Sequence, residues 1–116
     1  MLFRSCYHLA QRLNALAYAP ITLEGGAIHT DGKGTLMITE DVLLDPNRNP
    51  GLNKKEAEMI LSNYLGVDNF IWLIAALEYD DTGGHIDNLA CFAPELKYVG
   101  LCHSVQGTAE IGRAHV

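Results

Sequence analysis

No stretch of this 116-residue chain approaches the ~20 apolar residues of a membrane-spanning helix, although 48% of its side chains are hydrophobic. Basic charge is scarce too. Eight Lys and Arg stand against 14 Asp and Glu, a net charge of −6, and they form no basic patch. Nucleic acid and anionic membrane are therefore not expected as partners. Cysteine is sparse: Cys6, Cys91 and Cys102 are odd in number and widely spaced. They make neither a disulfide framework nor a zinc pattern, and a reduced, cytoplasmic setting is expected. Acid is missing from the first 23 residues, where Arg4 and Arg12 accompany Leu2, Leu9, Leu13 and Leu16 at near-helical spacing. Residues 1–19 read as a helix leading into the first strand, or as part of a preceding unit. An organelle transit peptide is the competing reading. The length suits a single small domain.

From Pro20 onward the pattern is clearer. Ile21 to His29 reads as a strand interrupted by Gly25-Gly26. Asp31-Gly32 and Gly34 supply turn chemistry, and Thr35 to Thr39 returns as a second strand. Asp41 to Gly51 is a loop rich in Asn and Pro. Asn53 with Glu56 resembles a capping box, Ala57, Ile60, Leu61, Tyr64 and Leu65 follow at helical spacing, and Gly66 ends the helix. Asn69 to Ile74 is a third strand and His85 to Phe92 the start of another. The order strand, strand, helix, strand predicts an α+β fold.

One segment carries chemistry: Asp80-Asp81-Thr82-Gly83-Gly84-His85-Ile86-Asp87-Asn88. On a strand, His85 and Asp87 project from the same face. A proton-transfer group then stands beside an anion, which suits chemistry on a cation. Other candidates have plainer explanations. Gly25-Gly26 reads as a strand kink, and the Arg48 loop as an anion site or an ordinary turn. His29 reads as a strand-end surface residue, and Trp72 as core rather than substrate platform.

Two chemistries use a His-x-Asp strand. In a non-haem iron triad, His85 and Asp87 are ligands and His103 is the only partner for them. In nucleophilic substitution at a cationic carbon, Asp87 holds the cation and His85 moves protons for a cysteine. Cys91 shares the face of His85, but six extended residues put it about 20 Å away. Cys6 and Cys102 lie in stretches without catalytic character.

Leu23-Glu24-Gly25-Gly26-Ala27-Ile28-His29, Asp31-Gly32-Lys33-Gly34-Thr35, Asn47-Arg48-Asn49-Pro50, Tyr64-Leu65-Gly66-Val67 and Gly84-His85-Ile86-Asp87-Asn88 resemble successive motifs of the agmatine deiminases. These belong with the Porphyromonas-type peptidylarginine deiminases in the guanidino-group-modifying (pentein) superfamily. The resemblance runs in order from Thr22 to Phe92. It implies an α/β propeller, of which this chain would supply one ββαβ module plus the first strand of the next. It also implies that His85 is the catalytic general acid/base, that Asp87 grips a substrate guanidinium, and that Glu24 supports the histidine. The implied substrate is a small guanidino compound, agmatine, with no cofactor and no metal. The second guanidinium-binding acid and the nucleophilic cysteine belong to segments outside this chain. Gly83 departs from the family, which often has Asp or Asn there.

Residues 20–94 are thus expected to form a module and the start of the next, as a fragment of a deiminase. Residues 95–116 are expected to diverge, and 110–116 match the translation of a sequencing-library adapter. The alternatives are a deiminase acting on arginine residues and a non-catalytic binding remnant.

Overall fold

Leu36, Met37, Ile38 and Thr39 are consecutive and almost completely buried, as befits a strand covered on both faces. The computed structural model describes residues 5–14, 17–74, 80–93, 98–105 and 108–115, with side-chain surroundings for those between 8 and 93. Strand β2 (Thr35–Thr39) is the centre of a three-stranded sheet, antiparallel to β1 (Ile28–Thr30) and parallel to β3 (Asn69–Leu73). Side chains alternate across it. Leu36 and Ile38 join Leu43, Ala57, Leu61 and Val67 in one core cluster, while Met37 joins Ile86 and Ala90 in the other. No helix among the described residues is long and apolar enough to cross a membrane.

Parallel pairing of β2 and β3 needs a crossover, supplied by a helix over Lys54–Leu65. Its ends form as the sequence predicts. Asn53 Oδ1 accepts from the Glu56 N–H at 3.0 Å, and Glu56 Oε2 accepts from the Asn53 N–H at 3.3 Å. Gly66 closes the helix in the left-handed region at φ 66°, which favours glycine. The α+β class and the ββαβ order are present. A helix over Ser5–Arg12 precedes them.

Several expectations require correction. The segment Ile21–His29 is a strand only at its end, because its earlier polar groups are used elsewhere. The Thr22 N–H donates to Asn49 Oδ1 at 2.7 Å and the Thr22 carbonyl accepts from Asn49 Nδ2 at 3.0 Å. Gly25–Ala27 is then a 3₁₀ turn. The loop Asp41–Gly51 begins as a helical turn, Glu40–Leu43, that buries Val42 and Leu43. His85–Phe92 is not one strand either. Ile86–Asn88 is a 3₁₀ turn closed by Asn88 N–H to His85 O at 3.2 Å and Leu89 N–H to Ile86 O at 3.0 Å. The chain folds around the fully buried Ile86, and only Ala90–Ala93 is extended, as β4. The length argument against Cys91, exposed on β4, falls with that strand, since a 3₁₀ turn advances only ~2 Å per residue.

Strand β4 begins a second antiparallel sheet with β5 (Tyr98–Val105) and β6 (Thr108–His115). His29 is not a surface residue. It is partly buried, its Nδ1 accepts from the Phe92 N–H at 3.3 Å and its ring stacks on Phe92, so it links β1 to β4. Trp72 packs against the first core cluster, as expected, with Nε1 donating to Glu58 at 2.8 Å.

Candidate functional site

His85 emerges from a loop whose shape is set locally. Asp80 accepts four hydrogen bonds, from the Thr82 hydroxyl at 2.6 Å, the Thr82 N–H at 2.9 Å, the Gly84 N–H at 2.7 Å and the Asn88 side-chain amide at 3.5 Å. An Asp side chain that captures amides ahead of it in sequence is an ordinary turn device. These bonds, the Thr82 hydroxyl first among them, hold the Asp80 carboxyl below the usual carboxylate range. Gly83 takes φ 75° and Gly84 φ 102°, both in the region that favours glycine. The buried Thr39 hydroxyl then donates to the Gly84 carbonyl at 2.8 Å, tying the loop to the end of β2.

The 3₁₀ turns at 25–27 and 86–88 bring the three predicted site residues together. A Cβ placed on Gly26 would lie 2.5 Å from Asp87 Oδ2 and 2.7 Å from His85 Nδ1. Both side chains therefore converge over that glycine, on one side, as predicted. The cause is a turn docked against a bare backbone rather than the pleat of a strand. The other ring nitrogen, His85 Nε2, lies 3.7 Å from Glu24 Oε2. Both atoms are buried and, among the described residues, neither has a hydrogen-bond partner. Asp87 is exposed, so its carboxylate can meet an incoming cation.

Glu24 is held from its far side. Arg48 Nε donates to Glu24 Oε1 at 2.9 Å, Nη1 to Asp45 Oδ2 at 3.1 Å and Nη2 to the Thr82 carbonyl at 2.8 Å. Burial works to raise the proton affinity of Glu24. The Arg48 hydrogen bond, a backbone hydrogen bond and the Arg48 charge, with a smaller part from His85, together outweigh it and keep the carboxyl below its ordinary range. The bond to Glu24 raises the affinity of Arg48 for its proton in turn, against burial. With its charge met by two carboxylates, Arg48 is not placed as an anion site, which corrects that reading.

Sequence reasoning named Arg48 and Gly26 only as parts of a loop and a strand kink; it missed the role of Arg48 beside Glu24, the Thr39 bond and which side chains lie over Gly26. The Asp80–Thr82 turn had a usable signal in its Asp-x-Thr spacing. The others act across tens of residues and left none. Among the described residues no group of three His, Cys, Asp or Glu side chains converges as a metal site; the side chains of His103, Cys6 and Cys102 lie outside those described.

The profile of the Porphyromonas-type peptidyl-arginine deiminase family matches residues 4–108, a longer span than the motifs from Thr22 to Phe92. A Yersinia pseudotuberculosis protein named "Putative agmatine deiminase" is 57% identical over 79 residues, 68% of this chain and 22% of that protein. The chain thus spans about a fifth of the length of such relatives. Among solved structures, a cysteine-to-serine variant of the C. jejuni agmatine deiminase with substrate bound is 32% identical. It covers 78% of this chain and 28% of its own, with a TM-score of 0.66. The agmatine deiminase of Enterococcus faecalis is 36% identical over 74% of this chain and 24% of its own, also with a TM-score of 0.66.

Proposed function

We propose that this chain, which belongs to the Porphyromonas-type peptidyl-arginine deiminase family, is the general acid/base segment of an agmatine deiminase. The intact enzyme would hydrolyse agmatine to N-carbamoylputrescine and ammonia. The observation that carries the reading is the two-sided setting of His85: Nε2 faces Glu24 Oε2, while Nδ1 and Asp87 Oδ2 both lie over the bare backbone of Gly26.

A carboxylate opposite Nε2 favours a proton there and leaves Nδ1 on the side where Asp87 would hold the guanidinium. Asp87 supplies a charge-assisted bond that orients the planar cation. A cysteine thiolate from another segment attacks the guanidinium carbon, and the C–N bond breaks as His85 passes a proton to departing ammonia. His85 then takes a proton from water. The resulting hydroxide attacks the sulfur-bound carbon, and as the thiolate is expelled the hydroxyl proton passes to the released ammonia, leaving the neutral urea product and ammonium. No step calls on a metal or cofactor. On this reading residues 20–94 form one propeller module and the start of the next, in a cytoplasmic enzyme. The adapter-like residues 110–116 fall beyond the matched span.

The test is turnover by the full-length protein carrying this segment, offered agmatine, free arginine and peptidyl-arginine. Agmatine-dependent release of ammonia and N-carbamoylputrescine that is lost in His85→Ala is the expected result. Preference for arginine residues favours the sister activity instead, and no turnover of any guanidine favours a binding remnant. The 116-residue chain by itself should release no ammonia, since a positioned base without its nucleophile has nothing to activate.

A further inference from the structure

We propose that Arg48 is a positioning residue of this site. It occupies one oxygen of Glu24 so that the other is left for His85, and it clamps the loop that delivers His85. The inference rests on the deiminase reading above and extends it to a residue which does not itself touch substrate.

The geometry gives each nitrogen of one guanidinium a different task. Nε takes Glu24 Oε1, Nη1 takes Asp45 and Nη2 takes the Thr82 carbonyl. Those acceptors belong to three separate segments: the approach to the first 3₁₀ turn, the Arg48 loop itself, and the loop just before His85. Only a planar fork with several fixed donors can hold all three at once; an ammonium is a single point. The loop presenting Arg48 is itself preset. Asp45 Oδ1 accepts from the Asn47 N–H at 2.8 Å. The Asp45 carbonyl accepts from the Arg48 and Asn49 N–H groups at 3.0 and 2.8 Å. Asn49 Nδ2 donates to the Leu43 carbonyl at 2.9 Å.

The clamp decides where Glu24 points. Its side chain is 41% exposed, so a free carboxylate would turn toward water. With Oε1 bound, rotation stops and Oε2 stays facing His85 Nε2. Gly83 belongs to the same device. A Cβ there would come within 3.3 Å of Arg48 Nη1, at a φ of +75° that strains any side chain.

The experiment measures kcat and KM for agmatine in the full-length enzyme and in Arg48→Ala, Arg48→Lys, Glu24→Gln and the Arg48→Ala/Glu24→Gln double variant, with melting curves for each. Arg48→Ala should lose about 100-fold in kcat, the scale of a misplaced reacting group, with KM unchanged because Asp87 is untouched. Arg48→Lys should recover little, and its kcat–pH profile should have its acid limb moved to higher pH, since Glu24 has lost its bonded partner. In the Glu24→Gln background, removing Arg48 should cost less than it does in the wild type, because the share that acts through Glu24 is already lost and only the hold on the Thr82 loop remains. A loss confined to KM, or costs that multiply in the double variant, overturns the proposal. Where Arg48→Ala does not fold, a folded Arg48→Lys at wild-type kcat overturns it equally. Glu24→Gln at full rate overturns this proposal alone, whereas wild-type enzyme that leaves agmatine untouched defeats the deiminase reading and this proposal with it.

Discussion

The Thr39 hydroxyl donates to the Gly84 carbonyl at 2.8 Å, joining the buried end of the central strand to the residue before His85. Thr39 is completely buried, and the sheet is thereby the datum from which the imidazole is placed. Replacing Thr39 with Val keeps the shape and strands a buried carbonyl. Such a group costs about 1–3 kcal/mol, so the full-length enzyme should melt earlier in scanning calorimetry and show lower kcat. Thr39→Ser should stay near wild type in both. A Val variant with unaltered melting and rate would mean that this bond does not hold the loop.

Gly26 should tolerate no side chain. An alanine Cβ there would sit 2.5 Å from Asp87 Oδ2 and 2.7 Å from His85 Nδ1, so one or both must move. A displacement on the ångström scale costs roughly 100-fold in kcat/KM. Because Asp87 is exposed and can yield, melting temperature should change little. Gly25→Ala, whose Cβ meets nothing within 4 Å, is the control and should keep its activity. Equal kinetics for the two alanine variants would contradict the convergence.

Asp87→Asn preserves size and removes the charge proposed to hold the guanidinium. Losing a charged hydrogen bond at a reacting site costs on the order of 2–4 kcal/mol, or roughly two to three decades in kcat/KM. The same assays run with a chelator test the iron-ligand reading, which requires added ferrous ion. Agmatine turnover should be indifferent to chelator. Near-normal turnover by the variant would remove Asp87 from the site.

Acid should loosen the His85 loop through Asp80 and Glu24. Both carboxyls sit below their ordinary range in the folded protein, Asp80 through its bonds from the Thr82 hydroxyl and two backbone N–H groups, Glu24 through Arg48 in spite of burial. A lowered folded-state value means that the unfolded chain takes up protons first. The stabilisation is therefore complete above the ordinary carboxylate range near pH 4, and it fades as pH falls from there through the lower folded values. Melting temperature of the full-length protein, followed from neutral pH to below 4, should fall on the acid side. Asp80→Asn should flatten that limb. An identical acid slope in the variant would assign the acid loss elsewhere.

Local chemistry settled much of this molecule from sequence alone. The Asn53–Glu56 capping box, the Gly66 stop and the strand Thr35–Thr39 were each legible, because the interactions that fix them lie within a few residues of one another. The pairing of His85 with Asp87 was legible too, but for the wrong reason. Alternation along a strand and a 3₁₀ turn folded around a buried Ile86 both put the two side chains to one side, and spacing does not separate them. Only tertiary structure decided which histidine nitrogen meets Glu24, why Gly26 is bare, and that Arg48 serves the site as a clamp. Those contacts join residues 24 to 61 positions apart in the chain. No periodicity reaches so far; the sheet, by packing both of its faces, is what brings such residues within hydrogen-bonding range.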